Sequence, residues 1–296
     1  VNEQDLAEAL KNKTIAGAAL DVYTSEPFEN NPFIGLDNIV MTPHLAASTD
    51  EAQLTVAVDI AHQIADYLNT GAIVNAVNVP SIDAEARAAL QPLLFLAERL
   101  GQFQSAYSKG RPVEVEIEYS GDLGVSDTYP ITTAILAGFL KPMVEGVNMV
   151  SAPGQMKARG ITSAEKRSAA PSDYAFEIGV TVKTDEGEHV VKGTLFHKND
   201  SRICSIDGMR VDAKPSGHML VCVNEDVPLV CGRVCTVIGE SGVNIANLTL
   251  GRAAKGGNAL IVLNLDQQPS DATLDKIREL PHVKHVGLVV LPESAS

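Results

Sequence analysis

The feature that most restricts the fold is the order of secondary structure predicted for the last part of the chain. Apolar runs with strand character alternate there with two segments whose apolar residues repeat at helical spacing. The predicted order is strand 218–223, helix 229–240, strand 244–251, strand 259–266, helix 271–279 and strand 283–291. This βαββαβ order is typical of a ferredoxin-like domain.

The length of 296 residues allows about two or three compact domains. We predict boundaries at 1–79, 80–216 and 217–296, because Pro80 marks a change of pattern and the middle part closes near Gly217. For the middle domain the pattern predicts an α+β fold. Its predicted elements are helix 92–107, strand 113–119, helix 130–141, an apolar segment 147–150, an exposed polar loop 162–172 and a hairpin of strands 177–184 and 188–196.

The first domain shows the alternation that predicts a parallel sheet. Strand-like runs at 15–23 and 38–41 are separated by a loop and followed by a long helix at 49–69, which Ser48 or Thr49 could cap. His44 comes directly after the second run, at a strand's carboxyl end, where ligands bind in open α/β sheets. Glu26 lies in the preceding loop. A carboxylate beside an imidazole orients the ring and favours its charged form, so the pair is interpreted as an acid/base unit.

Composition excludes several classes of function. The chain carries 23 Lys and Arg against 37 Asp and Glu, and this acidic balance disfavours a broad nucleic-acid-binding surface. No apolar run reaches the roughly 20 residues of a membrane span, so a membrane role is not expected. The four cysteines have neither Cys-x-x-Cys nor zinc-site spacing, so we expect reduced thiols, no metal and a cytoplasmic protein.

Four motifs resemble one known family in order and spacing. They are Ala16-Gly17-Ala18-Ala19-Leu20-Asp21-Val22, Glu26-Pro27, Pro43-His44-Leu45-Ala46-Ala47-Ser48-Thr49 and Asn75-Ala76-Val77-Asn78. With them the whole chain resembles the D-2-hydroxyacid dehydrogenases, and within these the long phosphoglycerate dehydrogenases, which carry an intervening domain and a C-terminal ACT domain. The resemblance implies an α/β fold. It would comprise the C-terminal part of a Rossmann-like nucleotide-binding domain, an α+β intervening domain and a βαββαβ ferredoxin-like ACT domain.

The resemblance also implies roles for residues of the first domain. His44 resembles the family's proton donor and acceptor, and Glu26 the carboxylate that pairs with it. Asp21 resembles the acid that binds the nicotinamide carboxamide of NAD, and His44, Leu45, Ala46 and Ala47 would line the same ring. The implied reaction is oxidation of 3-phosphoglycerate to 3-phosphohydroxypyruvate by NAD, the first step of L-serine biosynthesis.

Two regulatory sites are implied further along the chain. Asn224, Asp226 and Asn244 match positions of the ACT ligand loop and the following helix end, which suggests L-serine as an effector. The usual glycine after the loop proline is Leu229 here, whose side chain would crowd the ligand. A separate set of basic residues, Arg202, Arg210 and Lys214, lies where the family's intervening domain carries an anion site. Solvated surface cations are the alternative interpretation.

The largest departure from the family is an absence. The sequence contains no Gly-x-Gly-x-x-Gly phosphate loop. In the family, an Arg-Gly-Gly segment just ahead of the position that matches Val1 supplies the arginine that clamps the substrate carboxylate, and this segment is not in the sequence either. We therefore expect a C-terminal portion of such an enzyme that is inactive alone and homo-oligomeric through its ACT and catalytic domains. The alternatives are a regulatory and oligomerising module without activity, or another D-2-hydroxyacid dehydrogenase with an ACT domain.

Overall fold

The computed structural model describes residues 1–28, 30–70, 74–77, 84–125, 127–168, 173–197 and 199–293. The chain divides into two compact units, Val1–Ser81 and Ile82–Ser296. Within the described ranges, no helix is both long enough and apolar enough to cross a membrane.

The first unit is built around a small parallel sheet. Its elements are α1 (Glu3–Lys11), β1 (Ala18–Leu20), β2 (Ile39–Met41), a 3₁₀ turn (Ala46–Ser48) and α2 (Asp50–Thr70). β1 and β2 pair in parallel, as the sequence predicts. The predicted long helix is confirmed as α2, and Thr49 caps it by accepting a hydrogen bond from the Ala52 amide at 3.2 Å. Among the described residues of this unit, Ala7, Leu10 and Phe33 form the buried core.

Among its described residues, the second unit contains two sheets and five helices. The first part comprises α3 (Ala84–Tyr107), β3 (Pro112–Gly121), α4 (Tyr129–Leu140), α5 (Ala152–Ala158), β4 (Thr162–Ser168), β5 (Phe176–Thr184), β6 (Glu188–Phe196), β7 (Asp200–Ile206) and β8 (Met209–Ala213). Its six-stranded sheet has the order β4-β3-β5-β6-β7-β8, and β4 is parallel to β3 while the other neighbours are antiparallel.

The predicted βαββαβ order is confirmed for the last part of the chain. It comprises β9 (Gly217–Glu225), α6 (Val230–Glu240), β10 (Ile245–Arg252), β11 (Asn258–Leu265), α7 (Asp271–Arg278) and β12 (Val283–Leu291). The antiparallel sheet has the order β10-β11-β9-β12. Alternate residues of β9 point to different cores. Leu220 and Cys222 pack with Val234 and Ile238 of α6, whereas Met219 and Val221 join the core that contains α3 and α4.

That second core is continuous across position 217, so the last two of the three predicted domains share buried side chains. The division at 216 and 217 stays a prediction.

One element of the middle domain was predicted wrongly. Residues 162–168 of the predicted loop 162–172 form β4, whereas 169–172 lie outside the described residues. β4 is an edge strand whose residues are exposed from Thr162 to Arg167, so its pairing depends on backbone hydrogen bonds to β3 rather than on apolar side chains.

Candidate functional site

The predicted acid/base pair is brought together at the carboxyl ends of two parallel strands. Asp21 follows β1 directly, and His44 follows β2 after Thr42 and Pro43. The His44 amide donates to the Asp21 carbonyl at 2.9 Å, which ties the two strand ends together. His44 has a positive φ of 57°, a backbone conformation that is uncommon for a residue with a side chain and that merits a functional explanation.

The imidazole of His44 is oriented by Glu26. Its Nδ1 lies 2.8 Å from Oε2 of Glu26, and Oε1 of Glu26 accepts a hydrogen bond from the Tyr23 amide at 3.1 Å. The hydrogen bond to Glu26 raises the pKa of His44, and the carboxylate charge acts in the same direction. The hydrogen bond to His44, followed by that from Tyr23, lowers the pKa of Glu26. With Nδ1 held by Glu26, Nε2 is the ring nitrogen that can exchange a proton with a bound molecule.

Asp21 holds the segment that carries His44. Its Oδ1 accepts hydrogen bonds from the Thr42 hydroxyl and the Leu45 amide, both at 2.6 Å, and Oδ2 accepts one from the Ala46 amide at 2.9 Å. The Thr42 hydrogen bond is the main cause that lowers the pKa of Asp21, followed by that from Ala46. Asp21 is therefore ionised, and it fixes the backbone of the 44–47 segment that was predicted to line the nicotinamide.

Sequence reasoning missed two residues that shape this site. The Tyr23 hydroxyl donates to the carbonyl of Thr42 at 3.0 Å, and the Thr42 hydroxyl donates to Asp21. Both residues lie beside predicted site residues, Tyr23 between Asp21 and Glu26 and Thr42 just before Pro43. Their position next to strand ends was the only signal available.

The three predicted effector residues do not meet within one chain. Asn224 and Asp226 both line a cavity of about 370 Å³ beside the first turn of α6. Asn244 instead donates a hydrogen bond to Oδ2 of Asp266 at 2.6 Å and is not among the residues that line this cavity.

The three predicted anion-binding residues have different surroundings. Arg202 forms ion pairs with Asp200 at 2.7 Å and with Asp212 at 3.1 Å, and Arg210 forms an ion pair with Asp173. Lys214 lines a separate cavity of about 500 Å³. Both arginines are engaged by carboxylates, so the structure does not assemble the three cations around one anion.

Two parts of the chain match family models of known proteins. Residues 1–46 match the family model described as the D-isomer specific 2-hydroxyacid dehydrogenase, NAD binding domain. Residues 89–207 match the model of the D-3-phosphoglycerate dehydrogenase intervening domain. The first match includes Asp21, Glu26 and His44, and the second covers most of α3 and all of β3 to β7, α4 and α5.

Curated relatives extend this similarity to almost the whole chain. The D-3-phosphoglycerate dehydrogenase of Bacillus subtilis is 36% identical over 293 residues, which is 99% of this chain and 56% of the relative. That of Methanocaldococcus jannaschii is 37% identical over 98% of this chain and 55% of the relative. That of Archaeoglobus fulgidus is 38% identical over 95% of this chain and 54% of the relative. The chain thus spans about half the length of the curated relatives it matches.

Proposed function

We propose that this chain, which belongs to the D-3-phosphoglycerate dehydrogenase family, acts in the NAD-dependent oxidation of 3-phospho-D-glycerate to 3-phosphohydroxypyruvate, the first step of L-serine biosynthesis. The observation that carries the proposal is the hydrogen bond between His44 and Glu26 at the carboxyl ends of β1 and β2. It provides an oriented imidazole with a raised pKa where ligands bind in open α/β sheets.

In this reaction His44 transfers the proton and Glu26 assists it. Nε2 of neutral His44 takes the proton from the C2 hydroxyl as hydride leaves C2, and the negative charge of Glu26 stabilises the imidazolium that forms. Asp21 acts indirectly by holding the backbone at Leu45 and Ala46, and with it the orientation of His44. In the reverse direction the imidazolium returns the proton to the carbonyl oxygen.

The residues present fit the nicotinamide end of NAD, which when bound would accept the hydride. Strand ends that carry a fixed loop and an imidazole suit a flat ring beside the reacting carbon. The sequence has no Gly-x-Gly-x-x-Gly loop for the pyrophosphate. Because this chain lacks that loop, we propose that it does not turn over 3-phosphoglycerate by itself.

A regulatory and oligomerising role is the second candidate function. The observations that favour it are the 370 Å³ cavity in the βαββαβ part and the edge strand β10, whose Leu248 and Leu250 side chains are exposed. We propose that this part is an ACT domain that pairs with a second copy through a sheet edge. The family resemblance suggests L-serine as its effector, but the Leu229 side chain lines the cavity at the position where glycine is usual.

All four cysteines are free thiols, which supports the proposed cytoplasmic location.

The enzymatic proposal is tested with a hybrid protein. The amino-terminal part of the Bacillus subtilis relative, ending just before the residue that aligns with Val1, is fused to the start of this chain. We expect the hybrid to form NADH from 3-phosphoglycerate, and the His44→Ala variant to lose roughly 10²–10⁴-fold in turnover. His62→Ala, at an exposed position on α2, is the matched control and keeps full turnover. A folded hybrid in which His44→Ala stays active would contradict the assignment. A folded but inactive hybrid would favour the regulatory role.

A further inference from the structure

The cavity beside the first turn of α6 has one polar side and one apolar side. It lies where β9 ends, α6 begins and β10 and β11 face each other. Its volume of about 370 Å³ falls within the range of small-molecule sites. The lining residues that matter here are Asn224, Asp226 and Arg252 on the polar side, and Val227, Leu229, Leu250 and Ile261 on the apolar side.

The polar side contains a buried acceptor without a partner. Asn224 is only 4% exposed, and its Oδ1 accepts no hydrogen bond, although its Nδ2 donates to the carbonyl of Glu225 at 2.6 Å. An unpaired buried acceptor is costly, so a ligand that donates to it would gain from the contact. Within the described part of the chain only three other buried side-chain polar atoms share this condition, on Ser201, His218 and Asn264.

The same side presents both signs of charge. Nη1 of Arg252 lies 3.2 Å from Oδ2 of Asp226, which also accepts a hydrogen bond from the Gly256 amide at 3.0 Å. The Gly256 hydrogen bond, followed by that from Arg252, lowers the pKa of Asp226, so the carboxylate is charged. No side chain caps the first turn of α6, whose amides carry partial positive charge. A carboxylate fits Arg252 and these amides, and an ammonium group fits Asp226 and Oδ1 of Asn224.

The apolar side determines which side chain can be carried by a bound molecule that has both a carboxylate and an ammonium group. Leu229 precedes α6 with φ of 74°, the left-handed conformation that favours glycine, and its side chain lines the cavity while 69% of it is exposed. Leu250 and Ile261 lie on neighbouring strands and are paired in register. A hydroxyl group placed against these side chains would lose its hydrogen bonds to water, whereas an aliphatic group would bury apolar surface.

We infer that this cavity binds an L-α-amino acid with a branched aliphatic side chain and discriminates against L-serine, through the contact of that side chain with Leu229. This inference rests on the proposal that the βαββαβ part is a regulatory amino-acid-binding domain. It names a different class of effector from the one that the family resemblance suggests.

The test is calorimetric titration of the whole chain with L-leucine, L-valine and L-serine. We expect L-leucine or L-valine to bind at least about tenfold more tightly than L-serine, because the hydroxyl is left unpaired. In Leu229→Gly we expect this preference to fall at least about tenfold. The variant should fold, since glycine adopts a φ of 74° without strain. Val290→Ala is the matched control, because Val290 is exposed on β12 and does not line the cavity, and it should keep the wild-type preference.

Two results would overturn the inference. One is tighter binding of L-serine than of both aliphatic amino acids by the wild-type chain. The other is the absence of binding of either aliphatic amino acid. In the second case, serine binding by Leu229→Gly would retain the regulatory domain and remove only the inferred specificity. The dehydrogenase assignment is tested separately through His44, so its outcome does not depend on these titrations.

Discussion

The close contact between α3 and α4 allows a sharp test of the packing in the second unit. Gly101 of α3 and Gly138 of α4 are both buried at this contact. A Cβ atom at Gly101 would lie 2.1 Å from the carbonyl oxygen of Ile135 and 2.7 Å from the amide nitrogen of Phe139. A Cβ at Gly138 would lie 2.2 Å from the carbonyl oxygen of Glu98. These neighbours are backbone atoms, so they cannot rotate away as a side chain would.

The Gly101→Ala variant therefore has two opposing effects. Alanine in place of a helical glycine gains about 1 kcal/mol of helix propensity. To reach an ordinary contact of about 3.4 Å or more, however, the helices would have to separate by more than 1 Å at this point. Overpacking of this kind costs about 1–3 kcal/mol, and separation also exposes apolar surface of the shared core. We expect a net loss of about 1–2 kcal/mol, or roughly 2–8 °C in Tm for a domain of this size.

The assay is urea unfolding followed by far-ultraviolet circular dichroism. Gly239→Ala is the matched control, because Gly239 lies in α6 and a Cβ there would meet no atom within 4 Å. We expect that control to gain up to about 1 kcal/mol. If Gly101→Ala were as stable as Gly239→Ala, the close approach of α3 and α4 would be refuted.

Three further predictions concern the site, a buried amide and the two units. In Glu26→Gln the pKa of His44 should fall toward its ordinary value, and an unchanged titration of the His44 ring by NMR would contradict the pairing. In the wild type, the raised pKa of His44 stabilises the folded state below about pH 6.5, and this stabilisation is lost as the pH rises through the pKa of His44 in the folded state. Gln104→Leu should lower the free energy of unfolding by about 1–3 kcal/mol in urea, because the buried Nε2 of Gln104 donates to two carbonyl oxygens, and full stability would argue against these bonds. Residues 82–296 expressed alone should unfold cooperatively, whereas 1–81 alone should not, because the buried core among its described residues consists of only three side chains. Calorimetry distinguishes the two outcomes.

The parts of the fold that were predicted correctly are those with an apolar period. β9, β11 and β12 carry apolar runs, and α7 begins after Ser270, whose side chain caps it. The parts that were missed lack such a signal. β4 is polar and exposed, and α5 is a seven-residue helix with Pro153 in its first turn, so its pattern is too short to be recognised.

The candidate site divides in the same way. The proximity of His44 and Glu26 could be predicted because strand ends and loop positions restrict where both residues lie. The hydrogen bonds of Asp21 to the backbone beyond His44 depend on the path of the loop, which no periodicity encodes. Arg202 was predicted as an anion ligand, but its partners include Asp212 on the adjacent strand, and such pairing depends on register.

The wall of the cavity beside α6 is joined to the neighbouring sheet by direct contacts. The Thr249 hydroxyl of β10 donates to the carbonyl of Asp212 at 2.6 Å, and a Cβ at Gly251 would lie 2.3 Å from the carbonyl oxygen of Arg210. Leu250, between these two residues, lines the cavity. Because side chains alternate along a strand, β10 faces the cavity on one side and β8 on the other. A shift of the β10 backbone at Leu250 would therefore have to displace β8 or break the Thr249 hydrogen bond, so the backbone of the cavity wall is coupled to the sheet that contains β3 to β8.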